Sequence, residues 1–221
     1  MNFLTILRSV EDLLYEVMSW LLFYPRTLWM TLTHPLKTMK YSDQEQQDKP
    51  EKQYLETLSP PLFLVLSLLL AHAVEIAIGL GDETGRGRLA RIITQNDQTL
   101  LGFRALMFSL HAIAFAWVAL RLEGKRVDRD SLRAPFFAQC YLSGATTILI
   151  SLGSIGIRYP GDAATLTGFA VIAVTTVWYL AVQWNWLKRR LGLHPWRAAF
   201  ATFATYGVTT GCIFFAGALS I

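Results

Sequence analysis

The stretch AHAVEIAIG, residues 71–79, closes the apolar run PPLFLVLSLLL, yet it carries His72 and Glu75, three residues apart and so on one helical face. Downstream, LLGFRALMFSLHAIAF places Arg104 and His111 seven apart, again on one face. If the two stretches are antiparallel neighbours, residues at equal depth have numbers that add to a near-constant value. By that rule Glu75 faces Arg104, and His72 faces His111 a turn or two deeper. A charged side chain near mid-bilayer costs about 2.5 to 3.5 kcal/mol on insertion scales, so Glu75 and Arg104 are expected to neutralise each other. Two imidazoles that titrate near neutral pH beside a carboxylate suit proton or ion passage. The plainer alternative is an ion pair that fixes the register of one hairpin, since polar contacts between membrane helices contribute about 0.6 kcal/mol each.

Other chemistries find less support. His72, Glu75 and His111 form a two-histidine, one-carboxylate set, but the guanidinium expected at the same depth would repel a divalent cation, so no metal is assigned. No HExxH, GxSxG or GxxxxGK[ST] pattern occurs, and the glycines of GDETGRGR lack the lysine and preceding strand of a phosphate loop. With no nucleophile or base set, no catalytic residue and no cofactor are expected, and the chain reads as a non-enzyme. Cys140 and Cys212 both lie in apolar segments and suggest no disulfide framework. His34 and His194 each precede proline, where a turn role is usual.

The elements that must position these residues are hydrophobic helices. Of the 221 residues 53% are hydrophobic and 16% charged, against about 25% charged in soluble domains. A transmembrane helix needs about 20 predominantly apolar residues, and windows 61–80, 100–121, 135–156, 164–187 and 196–219 meet that length. The expected fold is therefore an all-α integral membrane protein with five transmembrane helices over 61–221. Counted along the chain, six, five and four basic residues fall on one side and three and one on the other, with Arg104 inside a span. The positive-inside rule then predicts a cytoplasmic N-terminus and an external C-terminus. The net charge of +4 is modest and the basic residues form no aromatic-interleaved patch, so nucleic acid is not an expected partner.

Residues 1–40 read differently. Phe3, Leu7, Val10, Leu14, Val17 and Leu21 recur at helical spacing, while Arg8, Glu11, Asp12, Glu16 and Ser19 take the other face. This predicts an N-terminal cytoplasmic amphipathic helix lying in the headgroup region, with Pro25 and Arg26 stopping the apolar run YEVMSWLLFY before it could cross. Residues 41–60 read as a solvated polar linker of mixed charge. In the fifth span, Gly207 and Gly211 have the spacing that lets helix backbones approach closely. Ser143, Thr147 and Ser151, with Gln139, make a small polar stripe on the third. Trp178, Tyr179, Trp184 and Trp186 read as an aromatic belt, with Lys188, Arg189 and Arg190 beyond it as topology-setting cations able to meet lipid headgroups.

The order of parts resembles the Yip1-type membrane family: a polar N-terminal region, a helix, the motif PRTLWMTLTHP from Pro25 to Pro35, then five closely spaced spans. The short N-terminal region is similar to the bacterial branch. The resemblance implies a five-span fold, a bacterial inner-membrane location, no recognised catalytic residue, and a permease-like or a trafficking role. The expected activity is permease-like passage of an ion or small solute through the polar cluster. The alternative is a non-transporting scaffold that binds partners through its N-terminal helix. The bilayer, with anionic lipids, is the expected partner, and a homo-oligomer is compatible with the glycine pair.

Overall fold

The computed structural model describes residues 3–49, 52–79 and 97–218. Among them are seven α-helices and no strand: α1 (Phe3–Thr33), α2 (Pro35–Glu45), α3 (Pro60–Ala77), α4 (Asp97–Leu122), α5 (Arg129–Arg158), α6 (Asp162–Leu191) and α7 (Pro195–Ala218). Four of these are long and apolar enough to cross a membrane: α3, the Ala105–Leu122 part of α4, α5 and α6. The fifth expected span falls on α7, which has 24 residues but is not one of the four. Threonines at 202, 205, 209 and 210 interrupt its apolar residues. The hydroxyls of Thr202, Thr205 and Thr209 donate to the carbonyls of Ala198, Ala201 and Thr205, so the helix carries its polar groups self-satisfied.

Local sequence sets the helix ends. Proline occupies the first helical position of α2, α3 and α7, where its missing N–H costs nothing. At α5 the Asp128 carboxylate accepts from the Ser131 N–H at 2.8 Å, while the Asp128 N–H donates to Ser131 Oγ at 3.0 Å, a reciprocal cap that starts the helix before the predicted span. Gly192, with φ of 60°, ends α6 in the left-handed conformation.

Helix α5 is the axis of the bundle, packing against α1, α2, α3, α4 and α6, while α7 rests on α4 and α6. The main core joins Met39 of α2, Phe115 of α4, Leu142 of α5, Tyr179, Trp186 and Leu187 of α6, and Ala198 of α7. The tightest approach is between α5 and α6. A Cβ added at Gly168 would stand 2.5 Å from the Gly153 carbonyl oxygen and 2.5 Å from the Ile157 nitrogen. Only glycine lets the backbones meet so closely. At Gly207 and Gly211, by contrast, an added Cβ meets nothing within 4 Å. Among the described residues the predicted packing pair meets no neighbour, whereas Gly153, Gly156 and Gly168 bring α5 and α6 together.

Pro25 lies inside α1, which runs on to Thr33. A proline inside a helix removes one backbone bond, and Trp20, Phe23, Tyr24 and Leu28 on either side of it pack against Leu58, Phe63 and Tyr141. Within 41–49 and 52–60 the chain is not wholly solvated as expected of a polar linker. Helix α2 enters that stretch, the Tyr54 N–H donates to the Glu45 carboxylate, and Tyr141 of α5 donates to the Leu58 carbonyl at 2.7 Å. Of the expected aromatic belt, Tyr179 and Trp186 are buried in the core, and Trp178 and Trp184 flank it.

Candidate functional site: a chamber around His111

The four residues expected to form one cluster belong to two surroundings. His72 and Glu75 share the buried face of α3, 5% and 3% exposed. The Glu75 carboxylate lies 3.2 Å from a terminal guanidinium nitrogen of Arg158, the last residue of α5. Sequence reasoning placed Arg158 in an external loop. Six further residues of helix at the N-terminal end of α5 and two at its C-terminal end bring it into the bundle. Arg104 is on α4, and its side chain lies outside the described residues, as does the predicted contact between it and Glu75. Beside this pair α3 and α5 enclose an almost wholly apolar cavity of about 200 Å3, lined by Leu70, Val74, Ile148, Leu152 and Ile155 among others.

His111 looks elsewhere. Its Nε2 is 3.3 Å from the Thr210 hydroxyl of α7, and its Nδ1 is 3.5 Å from the Met107 carbonyl one turn back. A neutral imidazole satisfies both: Nδ1–H donates toward the carbonyl, and Nε2 accepts the threonine proton. The ring packs at 5.5 Å from Tyr206 of α7 and edge-on at 6.4 Å from Tyr179 of α6. The groups around it come from α4, α5, α6 and α7, and His72 is not one of them. Depth matching put the histidines at similar levels, but α3 and α4 make only a slight contact, and His111 is rotated toward α7.

Around His111 is a cavity of about 180 Å3 whose polar wall is Ser143 and Thr146 of α5, Thr176 and Tyr179 of α6, and Tyr206 and Thr210 of α7. Phe108 and Ile150 complete it, and among the described residues no Asp, Glu, Lys or Arg lines it. Ser143 is 2% exposed, and its hydroxyl has no hydrogen-bond partner among the described residues. Thr146 donates to the Leu142 carbonyl at 2.8 Å, which leaves its oxygen able to accept. Positions 143, 146 and 150 fall on a different face of α5 from positions 144, 148, 151 and 155, which meet α3, so α5 separates chamber from ion pair.

One end of the chamber is held by a buried amide pair. Gln139 Nε2 donates to Gln183 Oε1 at 2.9 Å, and Gln183 Nε2 donates to Gln139 Oε1 at 2.6 Å. The same Gln183 amide donates to the Tyr179 hydroxyl at 2.9 Å, fixing that ring against the chamber. Both glutamines are fully buried, so each satisfied bond avoids a desolvation cost of about 1 to 3 kcal/mol. Tyr179, Gln183, Tyr206 and Thr210 escaped sequence reasoning. The spacing of Thr175, Tyr179, Gln183 and Trp186 along one face was the available signal, masked by the density of tryptophans around it.

The three terminal cations of α6 also separate. The Arg190 guanidinium donates to Asp43 at 2.9 Å and to Glu123 at 2.7 Å, tying α2 and the α4–α5 turn to α6, and stacks 5.3 Å above Trp186. Lys188 lies 5.6 Å from the Trp184 ring, and Arg189 points to an open cavity. Among the described residues, no group of three or more His, Cys, Asp or Glu is placed to hold a metal ion.

No protein-family model, curated protein or solved structure matches the chain. Its functional reading therefore rests on these contacts and on the chemistry they allow.

Proposed function

We propose that the chain is a five-span membrane protein of Yip1-type arrangement in a bacterial inner membrane, and that it admits a small polar solute to the His111 chamber in a permease-like passage. The observation that supports this reading is the chamber: a largely apolar space inside the helical bundle that is bordered by His111 and by six hydroxyl-bearing residues, Ser143, Thr146, Thr176, Tyr179, Tyr206 and Thr210. Among the described residues its lining carries no fixed charge. An ion brought there would lose water without meeting a counter-charge, a cost of several kcal/mol, whereas a neutral solute needs only the hydroxyl and imidazole partners present. The class favoured is thus a small uncharged molecule with donors and acceptors, such as urea or glycerol. Stopped-flow light scattering of proteoliposomes under urea and glycerol gradients tests this, with expected flux above empty liposomes and a drop of at least about tenfold for His111→Phe. Wild-type flux equal to that of empty liposomes overturns it.

The orientation proposed with it is N-terminus inside, C-terminus outside, α7 being the fifth span. Impermeant thiol labelling of a cysteine placed at Ile221 in intact cells supports it; labelling only after permeabilisation removes it.

A second reading, a membrane scaffold that transports nothing, is favoured by one observation. The first turns of α1 leave Leu13, Leu14, Met18, Leu21 and Leu22 between 58% and 70% exposed. Such a strip suits either the headgroup region or a partner helix. Charging it with Leu14→Lys and Val17→Glu is expected to release α1 from vesicles and raise protease cleavage between Tyr41 and Tyr54.

A further inference from the structure

A basic cavity lies between α2 and the end of α6. It measures about 430 Å3 and is lined by Lys37, Lys40 and Asp43 of α2 and by Trp186, Arg189 and Arg190 of α6. Arg190 is spent on Asp43 and Glu123. Lys37, Lys40 and Arg189 have no carboxylate within ion-pair distance among the described residues. Lys37 and Lys40 are three apart and so share the face of α2 that borders the cavity, while Arg189 approaches from the other helix. The one acid in the wall, Asp43, is already covered on Oδ2 by Arg190, so the field inside is set by three cations from two helices. The buried Trp186 ring forms part of its wall, with the Arg190 guanidinium 5.3 Å from it.

We propose that this cavity is a binding site for a phosphate group, held between Lys37, Lys40 and Arg189. Arg189 supplies a planar fork for two phosphate oxygens, and the lysines supply point charges on the opposite side. The phosphate has two natural sources, the headgroup of an anionic lipid or a soluble phosphate, and the site's chemistry is common to both.

The test uses the full chain in phosphatidylcholine nanodiscs with or without 20% phosphatidic acid, a composition chosen as roughly that of an anionic leaflet. Retained phosphatidic acid is counted by native mass spectrometry after release into mild detergent, and inorganic phosphate binding is followed by calorimetry. The variant Lys37→Gln/Lys40→Gln/Arg189→Gln is compared with Lys49→Gln/Lys52→Gln/Lys188→Gln, which removes the same charge from residues that do not line the cavity. All six positions are at or near the surface, and circular dichroism checks that both variants fold. Expected is a loss of phosphate-group binding of about tenfold or more in the first variant and less than about twofold in the second. Loss confined to phosphatidic acid assigns the site to a lipid; loss confined to inorganic phosphate assigns it to a soluble anion, and either supports the phosphate site. Equal losses in the two variants, or none in the first, overturn it.

Discussion

Glu75 with Arg158, and His111 with its hydroxyl-bearing neighbours, answer the same physical problem in opposite ways. Both place polar groups inside an apolar bundle. The first is an ionic contact at 3.2 Å between a carboxylate 4% exposed and a guanidinium 23% exposed. The second is a neutral network with spare donors and acceptors around an open volume. An ion pair in low dielectric uses up its partners and closes on itself. A hydroxyl network keeps unsatisfied capacity, which a solute can use. The contrast teaches that a titratable residue within a membrane segment is not by itself a transport residue; what surrounds it decides.

The largest effect should come from breaking the ionic region. Glu75→Gln is expected to lower stability by about 3 kcal/mol, the low end for a broken buried pair because Arg158 is partly exposed, and adding Arg158→Met should restore most of it. Thermal unfolding in detergent measures both, with the cycle Glu75→Gln and Arg104→Met run beside it. A larger coupling in the Arg104 cycle would return the pairing first expected from depth matching. Additive single effects in both cycles would mean that the carboxylate stabilises nothing through either cation.

Next in size is Gly168→Ala. The new methyl group would overlap the Gly153 carbonyl and the Ile157 nitrogen, forcing backbone movement that costs about 1 to 3 kcal/mol, while Gly211→Ala should stay within about 0.5 kcal/mol. Equal melting temperatures for the two variants would contradict the close approach of α5 and α6. If Gly211→Ala alone disturbs a dimer in crosslinking experiments, the open glycine face of α7 is an intermolecular one.

At the chamber the expected pattern reverses. Tyr206→Phe keeps the ring and removes the hydroxyl, so stability should change by less than about 1 kcal/mol while solute flux falls severalfold. A variant that melts like wild type and transports like wild type would remove Tyr206 from the passage.

The smallest effect lies outside the spans, where Arg190 holds two acids. Burial raises the Glu123 carboxyl, but hydrogen bonds from Lys125 and Arg190 and the attraction of both cations outweigh it, leaving its pKa lowered. Burial dominates at Asp43, whose pKa is raised despite Arg190. The signs differ accordingly. Glu123 stabilises the fold above the unfolded carboxylate pKa, and that contribution is lost as pH falls through its lowered folded value. The Asp43 carboxylate favours its protonated form in the fold, so ionising it opposes folding as pH rises past the unfolded value. At pH 7, Glu123→Gln should therefore cost more than Asp43→Asn, by about 1 kcal/mol or less for partly exposed pairs, and the gap should close in acid. Melting curves at pH 7 and below 4 measure it; the reverse order at pH 7 would mean that Arg190 favours Asp43.

Much of the fold was legible because it depends on local properties. Length and hydropathy marked the positions of α3 to α6 within a few residues, since each helix must cover its own backbone bonds before it meets a neighbour. The pairing of His72 with Glu75 on one face was equally local. What escaped depended on rotation and on ends. The direction in which His111 faces is set by Thr210 and Tyr206, a hundred residues downstream, and no spacing within α4 reports it. Arg158 entered the bundle because α5 extends two residues past its apolar window, a boundary that hydropathy blurs. Pro25 with Arg26 was read as ending an apolar run, and the packing that carries the helix on past it comes from residues far along the chain. The linker misled for a similar reason: its charges hid Tyr41, Tyr54 and Leu58, which dock on Tyr141.

The glycines at 153, 156 and 168 have a mechanical consequence. With no side chain between their backbones, α5 and α6 cannot slide or roll past one another without collision, so they behave as a single beam. Helices α4 and α7 touch that beam through larger, compressible side chains such as Phe108 and Tyr206. The α5 and α6 walls of the His111 chamber are therefore fixed relative to each other. Glu75, bound to the far end of the same beam, clamps α3 to the part that does not move.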